Sequence, residues 1–268
     1  MKGRVLIVAG SDSGGGAGIQ ADLKAVTCLG GFAMTAITAL TAQNTLGVHA
    51  IHAVPIDFVR SQIRVVIEDL GADAVKTGML ATAPIIDAVA DELAAMAPRA
   101  PRIVDPVMVA KGGDRLLAED AIGALTRRLV AGAALVTPNL PEAAVLAGRP
   151  VRTVDEMRSA AHAIRAAGAG AVLLKGGHLD GAIVTDLLLS ETGEEMFVDD
   201  RIDSRHTHGT GCTLASAIAA GIAQGLSLRD AVARGRAYVR AAIASAPGYG
   251  HGHGPLDHAH TVRAFPPA

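Results

Sequence analysis

The 268-residue sequence has no tryptophan, only four phenylalanines and only two tyrosines. Base stacking on aromatic side chains therefore has little to work with. Positive charge is not in surplus either. The 24 basic residues are matched by 26 acidic ones, for a formal net charge of −2. No broad basic field exists to hold a phosphate backbone, so nucleic-acid binding is not expected. There are only two cysteines, Cys28 and Cys212, far apart and in no Cys-x-x-Cys pair. A disulfide framework and a cysteine zinc site are both unexpected. No apolar run approaches the roughly 18 residues that a membrane span needs. Lys2 and Arg4 precede the apolar run Val5–Ala9, but that run is too short for a signal peptide and meets Ser11-Asp12-Ser13 at once. A cytoplasmic protein is expected.

What the sequence does have is a 50% hydrophobic content and enough length for a sizeable core. Short apolar runs, Val5–Ala9, Ala74–Lys76, Ile103–Val104, Leu135–Val136 and Val172–Leu174, read as buried strands. Between and after them lie helical patterns at about 18–30, 57–70, 83–96, 119–130, 155–167, 211–224 and 228–245. Phe32–Thr41 and Val48–Val54 read as further strands, and Ile183–Leu189 with Met196–Val198 as a pair joined around Thr192-Gly193. This alternation predicts an α/β fold with a mostly parallel central sheet covered on both faces. No Pro/Ser-rich linker divides the chain, so residues 1–268 are expected to form one domain. In such sheets ligands bind beyond the carboxyl ends of the strands, which directs attention to the turns there.

The first such turn, Gly10-Ser11-Asp12-Ser13-Gly14-Gly15-Gly16-Ala17-Gly18, has five glycines in nine positions, which lets backbone approach a ligand closely. The dinucleotide fingerprint wants an acidic residue about 20 positions on, and none occurs between Leu23 and Ile56. A P-loop fails because no lysine follows a glycine. The second turn, Thr207-His208-Gly209-Thr210-Gly211-Cys212-Thr213, enters the apolar helix Leu214–Ala223. A glycine-rich turn into a helix N-terminus presents free backbone N–H groups to an anion. Thr207 and Thr210 add hydroxyl donors. Cys212 sits either in a first turn that favours a thiolate or simply as a buried cysteine.

Three further segments carry weaker signals. In Thr137-Pro138-Asn139-Leu140-Pro141-Glu142, Asn139 and Glu142 share one face at a helix start. Taken alone this is most simply a capping box, and it also suits a hydrated Mg²⁺. Lys175, at a strand end beside Gly176-Gly177, can reach a phosphate as a point charge. Asp105 closes another strand, and Lys111 lies in a glycine-flanked loop that could form a lid over the site. The histidine-rich stretch His251–His260 has no fixed ligand spacing and reads as a loop.

Taken together, these motifs resemble the ribokinase-like kinases, and within them the hydroxymethylpyrimidine/phosphomethylpyrimidine kinases of thiamine biosynthesis. The resemblance spans nearly the whole chain: AGSDSGGGAGIQAD (9–22), TALTAQNTLGV (38–48), KTGML (76–80), DPVMVAKGGD (105–114), TPNLPEA (137–143), LKGGH (174–178), THGTGCT (207–213) and GHGPLDH (252–258). It implies a three-layer α/β/α sandwich and two ATP-dependent phosphorylations, first of 4-amino-5-hydroxymethyl-2-methylpyrimidine and then of its monophosphate. It also implies that Gln43 reads the pyrimidine, that Gly10 contacts it through the backbone, and that Asp22, Met79 and Val107 enclose the ring. Lys175, Asn139, Thr207 and Thr210 would bind ATP, with Glu142 and Asp105 at Mg²⁺. Gly209, Gly211 and Cys212, with Lys175, would carry the transfer itself. Cys212 stands where the wider ribokinase-like group has an aspartate base, so it acts as a thiolate base or as part of an anion hole. The resemblance further implies a homodimer. A pyridoxal kinase of the same fold and an inactive ligand-sensing homologue are the competing readings.

Overall fold

A computed structural model of the chain describes residues 2–109, 113, 116–118 and 120–263. Its frame follows from runs of alternating burial. In β1 (Arg4–Asp12) the side chains of Leu6 and Val8 point to one face, and those of Val5, Ile7 and Ala9 to the other. Both sets are fully or almost fully buried, as expected of a central strand covered on both sides.

The described strands are β1, β2 (Phe32–Gln43), β3 (Val48–Ala53), β4 (Ala74–Thr77), β5 (Arg102–Val104), β6 (Leu135–Val136), β7 (Val172–Leu174), β8 (Ile183–Ser190) and β9 (Gly193–Asp200). They form one sheet in the order β3-β2-β1-β4-β5-β6-β7-β8-β9. The pairings from β2 through β1 to β7 are parallel; β3, β8 and β9 add antiparallel edges. One face is covered by α2 (Ile56–Leu70), α3 (Ala83–Met96), α4 (Ala121–Leu125), α5 (Leu140–Ala147) and α6 (Val154–Ala166). The other is covered by α1 (Gly18–Cys28), α7 (Thr210–Ala223) and α8 (Leu228–Ala244). This is the three-layer α/β/α sandwich of the ribokinase-like fold.

Local chemistry sets several boundaries. Ser227 caps α8 by accepting from the Asp230 amide, and Thr153 and Glu156 form a capping box on α6. Two expectations need correction. The helix expected over 119–130 is short α4 followed by a π-helical turn, Thr126–Val130, in which the Ala131 amide reaches back to the Thr126 carbonyl. The Thr126 hydroxyl bonds the Ile122 carbonyl at 2.9 Å, a back-bond that competes with the regular ladder. The second strand of the late pair begins at Gly193 instead of Met196, directly after a two-residue turn. Its ends are polar and exposed, so hydrophobic alternation marks only its middle.

The sheet order reverses at β1, with β2 on one side and β4 on the other. Ligands bind at such a reversal, beyond the carboxyl ends of the strands. The ends of β1, β4, β5, β6 and β7 deliver Asp12, Thr77, Asp105, Thr137 and Lys175 to one region.

Candidate active site

A cavity of about 630 Å³ opens at this edge of the sheet. Its floor is made by the two glycine-rich turns, which interlock. Gly209 caps α7 with φ +82°, and a Cβ there would overlap the Gly16 carbonyl oxygen. Gly16 in turn lies flat against the His208 ring, where a side chain would collide with Cδ2. Only glycine fits at either position. The first turn is ordered by the Asp12 carboxylate, which accepts from the amides of Gly14 (2.8 Å), Gly16 (3.1 Å) and Ala17 (2.8 Å). Burial pushes the Asp12 pKa up, but His208 and these amides outweigh it and hold the group below the usual carboxylate range.

The start of α7 has no side-chain cap, so its first-turn amides and the positive end of its dipole face the cavity. Lys175 stands beside it: a Cβ on Gly211 would lie 3.2 Å from its Nζ. The ammonium pairs with Asp105 Oδ1 at 3.1 Å, and the Thr137 hydroxyl reaches the same oxygen at 3.2 Å. Burial disfavours the Lys175 charge, yet Asp105 and Glu142 more than offset it and raise its pKa. Two cationic elements thus converge on one spot, as an anion site requires. Thr207, Thr210 and Cys212 line the same spot.

Cys212 differs from the thiolate reading. Burial pushes its pKa up to about 12, with Asp22 and Asp105 adding to the effect, while Lys76 and the Gly18 amide oppose it. Desolvation outweighs the helix dipole, and the resting group is a neutral thiol.

Asn139 and Glu142 form the capping box in full. Asn139 Oδ1 accepts from the Glu142 amide at 2.9 Å, and Glu142 Oε2 accepts from the Asn139 amide at 2.8 Å. Both still face the cavity. Burial, with Asp105 nearby and Lys175 opposing, pushes the Glu142 carboxyl up to about 7. Among the described residues no three His, Cys, Asp or Glu side chains converge as a metal cage. One or two carboxylates beside a phosphate site nonetheless suit Mg²⁺, which takes most of its ligands from phosphate and water.

The same cavity carries the residues expected at a flat heterocycle. Gln43, at the end of β2, has its Oε1 3.1 Å from the Thr41 hydroxyl, and its backbone is tied to Ser13 by two bonds of 2.9 and 3.0 Å. Gly10 is packed so closely that a Cβ would sit 3.0 Å from Met79 Sδ. Met79 and Val107 line the wall. Asp22 does not: it is fully buried beneath the floor, bonded to Lys76 Nζ at 2.9 Å and to the Ser216 hydroxyl at 2.7 Å. It lines no part of the cavity and acts on the site from below, through its bonds to Lys76 and Ser216 and through its charge near Cys212. The proposed lid residues Lys111 and Gly112 lie outside the described residues.

Sequence reasoning missed three participants. Lys76, wholly buried, reaches the cavity floor with its charge held by Asp22 against the penalty of burial. His208 bonds Asp12 at 2.8 Å. Arg236 pairs with Asp186 (2.7 Å) and Asp199 (2.8 Å) at the β8–β9 end of the cavity, which Val184, Val239 and Ile243 make apolar.

The sequence profile of the phosphomethylpyrimidine kinase family matches residues 12–257. The chain belongs to that family. A hydroxymethylpyrimidine/phosphomethylpyrimidine kinase of Streptomyces coelicolor is 50% identical, covering 95% of this chain and 93% of the relative. The thiamine biosynthesis bifunctional protein ThiED of Geobacter sulfurreducens is 52% identical over 96% of the chain, which spans about half (52%) of that longer protein. Among solved structures, the pyridoxal kinase of Staphylococcus aureus in complex with AMP-PCP and pyridoxal superposes with a TM-score of 0.89 at 33% identity, covering 98% of this chain and 96% of the other. This phosphomethylpyrimidine kinase family member is therefore a kinase by family and by fold.

Proposed function

We propose that the chain transfers the γ-phosphoryl group of ATP to the hydroxymethyl oxygen of 4-amino-5-hydroxymethyl-2-methylpyrimidine, and then a second phosphoryl group to the resulting monophosphate. The observation that carries this reading is the pairing, in one cavity, of Gln43 with the Lys175–α7 anion site. An amide can donate to a ring nitrogen and accept from an exocyclic amine at once. The first-turn amides of α7 and the Lys175 ammonium meet the charge on the moving phosphoryl group. Phosphoryl transfer depends chiefly on such positioning and charge neutralisation. A neutral Cys212 thiol fits an anion hole better than a base, because it can donate towards a phosphate oxygen but cannot take the hydroxyl proton. Bound together with ATP, Mg²⁺ supplies further neutralisation; Glu142 and Asp105 would hold it, with Asn139 fixing the turn.

Product analysis by mass spectrometry, from hydroxymethylpyrimidine, ATP and Mg²⁺, tests the reading. Monophosphate followed by diphosphate supports it. The pyridoxal reading draws on the Staphylococcus aureus structure; phosphorylation of pyridoxal but not of the pyrimidine would favour it. No phosphorylation of either compound would favour a ligand sensor. We also read the chain as one domain, because one sheet carries every described strand, and as cytoplasmic, where ATP is supplied. A homodimer is supported by exposed apolar side chains on β2, β3 and α2, namely Leu40, Ile51, Phe58 and Val65. No described helix is long and apolar enough to cross a membrane.

A further inference from the structure

His208 lies at the junction of four segments that build the cavity. Its backbone amide donates to the Gly254 carbonyl at 3.1 Å, and it forms a bridge with Pro255. Its ring rests on Gly16, its neighbour Gly209 caps α7, and its Nε2 lies 2.8 Å from Asp12 Oδ2. The same Nε2 lies 3.4 Å from Gln43 Nε2. His208 is buried, at 9% exposure, and lines the cavity.

Donor and acceptor counting gives this geometry a consequence. A carboxylate only accepts, so the His208 nitrogen beside Asp12 carries the proton. That nitrogen then cannot accept from the Gln43 NH₂ group. In the orientation seen here, Gln43 Oε1 faces Thr41 and its NH₂ faces a second donor. Turned over, Gln43 would set its Oε1 beside the His208 N–H, whose single hydrogen it would share with Asp12, and donate to Thr41, whose hydroxyl already has an acceptor in the Ser11 carbonyl at 2.9 Å. The two orientations offer a bound heterocycle opposite patterns of donor and acceptor. The imidazole cannot rotate to suit either one, because Asp12 and Gly16 fix it.

We propose that His208 is a positioning and specificity residue: clamped by Asp12 and Gly16, it sets which end of the Gln43 amide is presented to the heterocycle. Turning Oε1 to His208 removes the donor–donor contact, so a ligand whose donors and acceptors match that orientation of Gln43 is favoured over one that requires the reverse. This inference rests on the functional reading above for the identity of the heterocycle, but the coupling between His208 and Gln43 can be tested without turnover.

The experiment compares wild type with His208→Leu, His208→Gln, Gln43→Ala and the double variant His208→Leu/Gln43→Ala. For His208→Leu the expected result is a rise of about 10-fold in the pyrimidine KM, with the ATP KM within about 2-fold of wild type. His208→Gln, which keeps an N–H donor, recovers part of the loss. The double variant is no worse than Gln43→Ala alone, since one residue acts through the other. A purely structural staple would instead move both KM values and lower the melting temperature in every His208 variant, and additive effects would overturn the inference. The side-chain NH₂ resonances of Gln43, followed by NMR in ligand-free protein, shift in His208→Leu; unchanged resonances also overturn it. Failure of the wild type to phosphorylate the pyrimidine would sink the functional reading, and the resonance test would still decide the coupling.

Discussion

Lys76 and Asp22 form an ion pair with no solvent exposure on either side chain, both Nζ–oxygen distances being 2.9 Å. Replacing Lys76 by methionine nearly preserves volume but leaves the Asp22 carboxylate with only the Ser216 hydroxyl, at 2.7 Å, as a side-chain partner. An uncompensated buried charge of this kind costs about 3–5 kcal/mol. For a chain of this size that corresponds to a fall in Tm of roughly 6–20 °C. Adding Asp22→Asn removes the stranded charge, while the amide oxygen can still accept from Ser216. The double variant should therefore recover most of the loss, because apolar or neutral replacements of a buried pair are often near-neutral. Urea unfolding of the wild type, both single variants and the double variant measures the coupling. If the double variant were destabilised by the sum of the two singles, the pair would not be the interaction described. If Lys76→Met cost under about 1 kcal/mol, the charge would not be desolvated as its burial indicates.

Gln43→Ala should raise the pyrimidine KM by about 10-fold or more, from roughly 1.5–3 kcal/mol of lost paired hydrogen bonds. A defect confined to ATP binding would contradict its assignment. Cys212→Ala should lower kcat with nucleotide affinity nearly retained, and unchanged turnover would remove the residue from the mechanism. With its pKa near 12, alkylation of Cys212 by iodoacetamide should stay slow up to pH 9, whereas rapid reaction at pH 7 would restore the thiolate reading. His258 is buried, bonds Thr213 at 2.9 Å, and has its pKa pushed down to about 4 by burial. The folded state then takes up its proton later than the unfolded chain does. Its contribution is present above about pH 6.5 and is lost as pH falls towards 4, by roughly 3 kcal/mol in all. Urea midpoints of His258→Gln should fall less steeply over that interval; an unaltered slope would contradict the assignment.

The strands and most helices were legible because burial imposes period and length on them. Val5–Ala9, flanked by a polar turn, could hardly be anything but a central strand, and Ser227 marks the start of α8 by its own chemistry. The two glycine-rich turns were legible as ligand-facing backbone, but their interlock was not. Contact between Gly16 and Gly209 depends on tertiary approach, which no local spacing encodes. The same holds for Lys76–Asp22 and His208–Asp12, whose partners are 54 and 196 positions apart. A signal for the first pair was nonetheless present. Asp22 falls on the apolar stripe of α1, one helical turn from Ile19, Ala25 and Val26, and a carboxylate there needs a buried cation. The resemblance places Asp22 at the pyrimidine ring, whereas the fold buries it behind Lys76, off the cavity lining. Of the two readings that the sequence leaves open for Cys212, a dipole-favoured thiolate and a buried cysteine, the choice turns on desolvation, which no local spacing encodes.

A crystal structure with hydroxymethylpyrimidine and a non-hydrolysable ATP analogue tests the central claim most directly. The terminal phosphate oxygens are expected within hydrogen-bond distance of the Gly209–Cys212 backbone amides and of Lys175 Nζ, with the pyrimidine edge on Gln43 and its hydroxymethyl oxygen facing that phosphate. A terminal phosphate seated away from the start of α7, or a pyrimidine that makes no contact with Gln43, would contradict it.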